Sequence, residues 1–440
     1  MQNKKNIEDR WSVTERENSF ETKLRQKYRS GFLKGMLLAV IICAAAVLIF
    51  NWIKDNQKIT VGVYGSQKGG KHQVQSYDAL LDQAAIDKIN YLAAFIQANY
   101  YEEVDTDQLL NGLYKGMYES LDQYSDYYTE EEYQEILSTE VQGNYSGIGA
   151  VLQQNSKTKQ VKVVRIQDGS PAEKAGLKVG DTIVKADQYQ ADQMSLSEFV
   201  GHLKGEEGTT VHLTVQREGT EGSLEMDVTR KQMESISVYY EMFEDQLGYI
   251  QITEFTDTTP KQFEQALEAL QKQELKGLIV DLRNNLGGMV NAVTQILDDI
   301  LPEGLIVYTE DKAGNREEFK STDEKYLSVP LTVLVNGSSA SASEIFAGAI
   351  KDRDYGTLIG TKTFGKGIVQ GIQSFKDQTA VKLTISRYYT PNGTCIQGKG
   401  IEPDIVLEYK FQGKDGDDYS YSLDNQIQKA IEILKEEISK

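Results

Sequence analysis

Residues 331–350 read LTVLVNGSSASASEIFAGAI, and the fold turns on that passage. LTVLVN is an apolar strand, Asn336 and Gly337 supply a turn, and the serine- and alanine-rich run that follows starts a helix. Working outward, GYIQIT, GLIVDL and LIVY read as further strands, with helical patterns at Lys261 to Gln273 and Met289 to Ile300 between them. Strands alternating with helices call for βαβ units and an α/β core.

The same passage carries chemistry. A serine at a helix start sits among free backbone N–H groups at the positive end of the helix dipole, and both stabilise the oxyanion that acyl transfer creates. Taken alone, Ser338, Ser339, Ser341 and Ser343 read better as caps and small helix residues. The search for a base changes the weighing, because a serine hydroxyl is a poor nucleophile until its proton is removed. The three histidines, His72, His202 and His212, all precede the α/β region. A lysine whose pKa is depressed by desolvation serves instead, as in Ser-Lys variants of the triad. The segment TKTFGKGIVQ supplies Lys366 between Gly365 and Gly367, beside Phe364. Gln370 stands four residues on, which in a strand is the same face.

Two other features bear on this region. GTKTFGKG fits the first seven positions of a phosphate-binding loop, but Gly367 stands where Ser or Thr should hold magnesium, and IVQGIQSF reads as a strand where a helix is needed. In DLRNNLGGMV, Gly287 and Gly288 follow the strand GLIVDL, at the strand end where ligands gather in α/β sheets. A plain strand-to-helix turn is the commoner use of such glycines.

Toward the N-terminus, Tyr145 to Arg230 contains short β-rich runs, VKVVRI and VHLTVQRE, around the turn-rich SPAEKAGLKVGD, and reads as a small mostly-β domain. Tyr77 to Leu137 reads as two or three helices, and residues 54–76, with several glycines and no periodicity, as a flexible stalk. From Gly31 to Ile53 the apolar run is long enough to span a bilayer as a helix, and Lys23, Arg25, Lys27, Arg29 and Lys34 on its flank predict a cytoplasmic N-terminus. A cleaved signal peptide is the competing reading, through Ala44 and Ala46, but Val47 to Phe50 stay apolar beyond that site. Ser422 to Lys440 reads as a final amphipathic helix with Ile427, Ile431, Leu434 and Ile438 on one face.

The chain's 440 residues allow two or three domains, and its formal net charge of −19 argues against a nucleic-acid partner. Cys43 and Cys395, the two cysteines, stand far apart in chain and context and are not read as a disulfide.

From about Asp78 to Tyr409 the chain resembles the C-terminal processing, or tail-specific, peptidases. The matching segments are YSGIGA, GSPAEKAGLKVGDTIVKAD, DLRNNLGG, SSASASEIFAGAI, GTKTFGKGIVQ and YYTPNGTCIQGKGIEPDI. The resemblance implies a crotonase-like α/β serine protease core with an inserted PDZ domain, in which Ser341 is nucleophile, Lys366 general base and Gln370 its orienting partner. It implies an oxyanion hole from the backbone N–H of Ala342 and of Gly287, with Leu286 where the family commonly has proline. It implies a peptide-binding loop at Ser146, Gly147, Ile148 and Gly149, and substrates that are proteins with apolar C-terminal tails. Lys204 stands where family members often carry an arginine switch contact. A homodimer through the helical segments, and hydrolysis without metal or cofactor, are further implications.

The expected organisation is a cytoplasmic tail (1–30), a transmembrane helix (31–53), a stalk (54–76), a helical segment (77–140), a PDZ domain (141–232), a Ser-Lys peptidase core (233–410) and a C-terminal helical segment (411–440). The chain is thus expected to be a single-pass protein of the cell membrane with its catalytic region on the extracytoplasmic side. Two alternatives from other classes are a catalytically silent PDZ scaffold and a P-loop-like nucleotide hydrolase.

Overall fold

The computed structural model describes residues 58–63, 73–78, 81–155, 158–322, 325–414 and 419–440. They divide into two compact units, the second of which holds Thr106–Lys440. In the first unit, Lys58–Val63 and Gln73–Asp78 pair antiparallel inside and just beyond the stretch expected as a stalk. Ile59, Thr60, Val61 and Val63 give the first of these runs a strand propensity that its glycine does not cancel. Helix Gln83–Asn99 follows, capped by Asp82, whose side chain accepts the Ala85 N–H at 2.8 Å.

No helix among the described residues is long and apolar enough to cross a membrane. This corrects the expectation of a single-pass cell-membrane protein with an extracytoplasmic catalytic region, which the structure does not support. That expectation rested on apolar length and a basic flank, and residues 31–53, like the tail 1–30, lie outside the described residues.

In the second unit the α/β core is a six-stranded sheet in the order Val238–Met242, Leu247–Ile252, Gly277–Asp281, Leu331–Val335, Thr357–Gly360 and Ile405–Val406. Its first pair is antiparallel and the others are parallel. Gly277–Asp281 and Leu331–Val335 are buried at every residue, which explains their unbroken apolar runs. Alternate residues serve opposite faces. Val333 and Val335 pack with Phe263, Ile296 and Phe346 of helices Thr259–Gln271, Val290–Ile300 and Ala342–Asp352. Leu334 between them packs with Ile427, Ala430 and Leu434 of helix Asn425–Ile438 on the other side. Helix Thr259–Gln271 begins two residues before the expected Lys261 because Pro260 fits the first turn, where its missing N–H costs nothing.

A second sheet runs Arg316–Ser321, Gly304–Asp311, Ala380–Tyr389 and Ile368–Ser374, with Asp126–Tyr128 also paired to Ala380–Tyr389. The small β domain has its own core around Phe199 and Leu213. Its strands are ordered Leu224–Thr229, Thr210–Gln216, Thr182–Ala186, Val161–Ile166 and Ala150–Gln154, so the last is an edge strand.

Candidate active site

Strand Leu331–Val335 delivers the chain to a turn that is pinned to the strand beside it. Ser339 Oγ donates to the Leu282 carbonyl at 2.8 Å, and the Ala340 N–H to the Asn285 carbonyl at 3.0 Å. Asn285 is fully buried and links three segments. Its Nδ2 donates to Ile252 O at 2.9 Å, its carbonyl also accepts Ser343 Oγ at 2.9 Å, and its Oδ1 accepts the Gly287 N–H at 2.8 Å. The glycine turn therefore lies directly against the turn that carries Ser341. A Cβ on Gly287 would stand 2.6 Å from Ala340 O and 2.7 Å from Ser341 Cβ, and one on Gly288 would stand 2.1 Å from Phe255 O. Only glycine fits that approach.

Ser341 caps helix Ala342–Asp352 with φ +54, a backbone conformation costly for any residue with a side chain. Two buried side chains hold it there. Glu344 is fully buried, and its Oε2 accepts both the Ser341 N–H at 3.0 Å and the Lys366 N–H at 2.8 Å. Its Oε1 accepts the Gly365 N–H at 2.7 Å and the Thr363 hydroxyl at 2.6 Å. Tyr388, reaching in from the second sheet, shares its hydroxyl proton between the Ser341 carbonyl, at 2.9 Å, and the Lys366 carbonyl. Burial, and then the Glu344 carboxylate, push the Tyr388 phenol well above its ordinary pKa, so it remains a donor. Two segments far apart in sequence are thus fastened backbone to backbone.

Ser341, Lys366, Gln370, Gly287 and Gly288 line one cleft of about 780 Å³, together with Leu286, Lys382 and Tyr388. Ala342 lies buried next to the serine. The Lys366 ammonium position is 4.5 Å from the centroid of the Tyr124 ring. Burial first, and then the Lys382 charge, hold its pKa below the usual lysine value, with Glu140, Asp122 and Glu344 pulling the other way. Burial also works against the Lys382 ammonium, but Tyr128 and Glu140 outweigh it and keep that residue charged. No hydrogen bond among the described residues joins Lys366 Nζ to Ser341 Oγ. Gln370 Nε2 makes one long contact, 3.4 Å, with Thr384 Oγ1.

Of the two glycines, Gly287 already has its N–H engaged by Asn285, while no described hydrogen bond uses the N–H of Gly288 or Ala342. The loop ahead of Lys366 leads into strand Ile368–Ser374, and the Gly365 and Lys366 N–H groups are both held by Glu344. Neither amide is left to cradle a phosphate, which removes the support for a P-loop.

In the small β domain, Gly149, at φ +78, lines a second cavity of about 460 Å³ between edge strand Ala150–Gln154 and helix Leu196–Leu203, with Val200, Arg165 and Lys204. Ser146 and Gly147 belong instead to strand Asn144–Gly147, paired with Lys231–Glu234, and Ile148 is buried. Sequence reading missed Glu344, Tyr388, Asn285 and Lys382. For Glu344 a signal existed, since Ser341-x-x-Glu344 is a capping-box pattern.

Three family models match the chain. They are "Peptidase family S41" over residues 246–407, "PDZ domain" over 146–228 and "Activating protease CtpB N-terminal domain" over 40–132. The chain is 36% identical over 323 residues to the carboxy-terminal processing protease CtpA of Bacillus subtilis (strain 168), covering 73% of this chain and 69% of that one. It is 34% identical over 379 residues to the "Probable CtpA-like serine protease" of Staphylococcus aureus (strain MSSA476), covering 85% and 72%. Among solved structures, the photosystem II D1 C-terminal processing protease matches with TM-score 0.44 and 28% identity, over 72% of this chain and 86% of that one.

Proposed function

The chain belongs to peptidase family S41, as a serine endopeptidase of the C-terminal processing type with a PDZ domain, and on that premise we propose that Ser341 and Lys366 are its catalytic dyad and that the PDZ domain receives the substrate's apolar C-terminal tail. One observation carries the dyad: a single carboxylate oxygen, Glu344 Oε2, accepts the backbone N–H of both residues at the wall of one cleft.

In this reading Lys366 is neutral when it acts, and leaves the Tyr124 ring to take the proton from Ser341 Oγ, with Gln370 orienting the amine. The oxygen attacks the scissile carbonyl, and the charge that develops meets the Ala342 N–H and one glycine N–H. Gly288 offers a free donor, and Gly287 becomes one only if its bond to Asn285 opens. Collapse expels the amine of the C-terminal product, protonated by Lys366, and leaves an acyl-enzyme that water hydrolyses. Nothing in these steps calls for a metal or cofactor.

Tail binding is supported by the free edge of Ala150–Gln154, to which a peptide adds as a strand, and by the cations Arg165 and Lys204 in the same groove. Binding there is proposed to align the catalytic groups. Pairing of two copies through the helical segment stays within this proposal; helix Gln83–Asn99 buries none of its residues.

The test is cleavage of an unfolded protein ending in an apolar tail by the parent chain, Ser341→Ala and Lys366→Met. Loss on the order of 10⁶-fold is expected for the serine variant. Cleavage that survives either substitution ends the dyad. A parent that binds tail peptides without cleaving anything favours the scaffold.

A further inference from the structure

The catalytic cleft and the PDZ groove share a wall. Glu140 and Glu254 line both cavities. Glu140 has a counterion, Lys382 Nζ at 3.8 Å. Glu254 is half-buried, and no hydrogen bond or ion pair among the described residues reaches its carboxylate. Burial, and next the Glu140 charge, raise its pKa, while Lys204 opposes them from beyond ion-pair distance. On the shared wall Glu254 therefore offers a carboxylate that no described side chain pairs with.

The proposed dyad-and-tail reading gives that carboxylate a use, and the role assigned to Glu254 rests on it. A substrate with its tail in the groove and its scissile bond at Ser341 must run its intervening residues across the shared wall. We infer that Glu254 is a specificity-determining residue that selects a basic side chain in the substrate segment between the scissile bond and the C-terminal tail. The groups facing that crossing are Glu140, Glu254, Lys204, Arg165, Lys382 and Lys366. Glu140 is matched by Lys382, and Arg165 and Lys204 line the groove where the tail's own carboxylate must be met. Of the two carboxylates at the crossing, Glu254 is thus the one with no ion-pair partner among the described residues. A lysine or arginine there forms a charge-assisted hydrogen bond with Glu254, and an acidic residue meets like charge in a site partly withdrawn from water.

The experiment uses the full chain and peptides with one constant apolar tail, in which Lys, Ala or Glu is placed in turn at each position between scissile bond and tail. At one or two adjacent positions kcat/KM is expected to rank Lys over Ala over Glu, with roughly a tenfold step between the first two. Glu254→Gln should flatten that ranking while still cleaving the alanine peptide, and Glu254→Lys should reverse it in favour of Glu. A parent that cleaves all peptides without preference overturns the inference and leaves the dyad standing, as does a lysine preference that persists in Glu254→Gln. A parent that cleaves none of them overturns the reading underneath.

Discussion

At the head of helix Ala342–Asp352 the backbone around Ser341 is answered by buried side chains, whereas along strand Ala150–Gln154 one edge of backbone has no strand beside it. The two regions are asked for different things. The proposed proton transfer from a hydroxyl to an amine tolerates errors well under an ångström, which fits the way Glu344, Tyr388 and Asn285 hold the chain around Ser341. A groove proposed to receive C-terminal tails gains from an open edge, because main-chain pairing accepts any sequence and leaves selection to pockets.

The contrast breaks first, and hardest, at Glu344. Glu344→Gln keeps the volume but turns an acceptor into an N–H₂ that faces other N–H donors, each such mismatch costing about 1–3 kcal/mol. Turnover should fall roughly 10²-fold through misplacement of the dyad, while the affinity for a tail peptide, followed by fluorescence anisotropy, stays at the parent value. Unchanged kcat would show that the shared carboxylate does not set the geometry. On the other side, Val200→Arg fills the groove beside the edge strand. It should raise KM for tail-bearing substrates by roughly tenfold, about 1.4 kcal/mol of binding, and leave kcat on a tailless unfolded substrate alone. A matching loss on both substrates would mean the two regions are not separable.

The smallest expected effect comes from Lys382→Met. As the proposed general base Lys366 must be neutral to act, so activity is expected to rise with pH through its depressed pKa. Removing the nearby positive charge takes away one of the causes of that depression and raises the pKa. The ascending limb of the pH–rate profile should move to higher pH, with a few-fold loss at neutral pH that is recovered in alkaline buffer. A limb that stays in place would assign the depression to burial alone.

The same contrast separates what could be read from the chain from what could not. Strands such as GLIVDL and LTVLVN announce themselves because both of their faces are buried, and Ser341 and Lys366 stand out by local chemistry, a helix start without a histidine in reach and a lysine between glycines. The capping box hints at Glu344's hold on Ser341, but its bond to Lys366, 22 positions on, and that of Tyr388 to Ser341, 47 positions back, have no local pattern, because they exist only after distant segments have come together. Of the loop expected to bind peptide, Ser146 and Gly147 are taken up by pairing with Lys231–Glu234, and Gly149 lines the second cavity, a division no local motif reports. The hairpin of Lys58–Val63 and Gln73–Asp78 went unread since its glycines spoke louder than its β-branched residues.

The positive φ at Ser341 has a meaning for descent as well as for chemistry. Any side chain there carries a conformational cost of roughly 1–3 kcal/mol, and glycine would not. In the proposed reading, the need for a nucleophilic hydroxyl is what keeps that cost in place. If the proposed role holds, a relative that kept the scaffold and gave up cleavage would be relieved of that cost by glycine at this position.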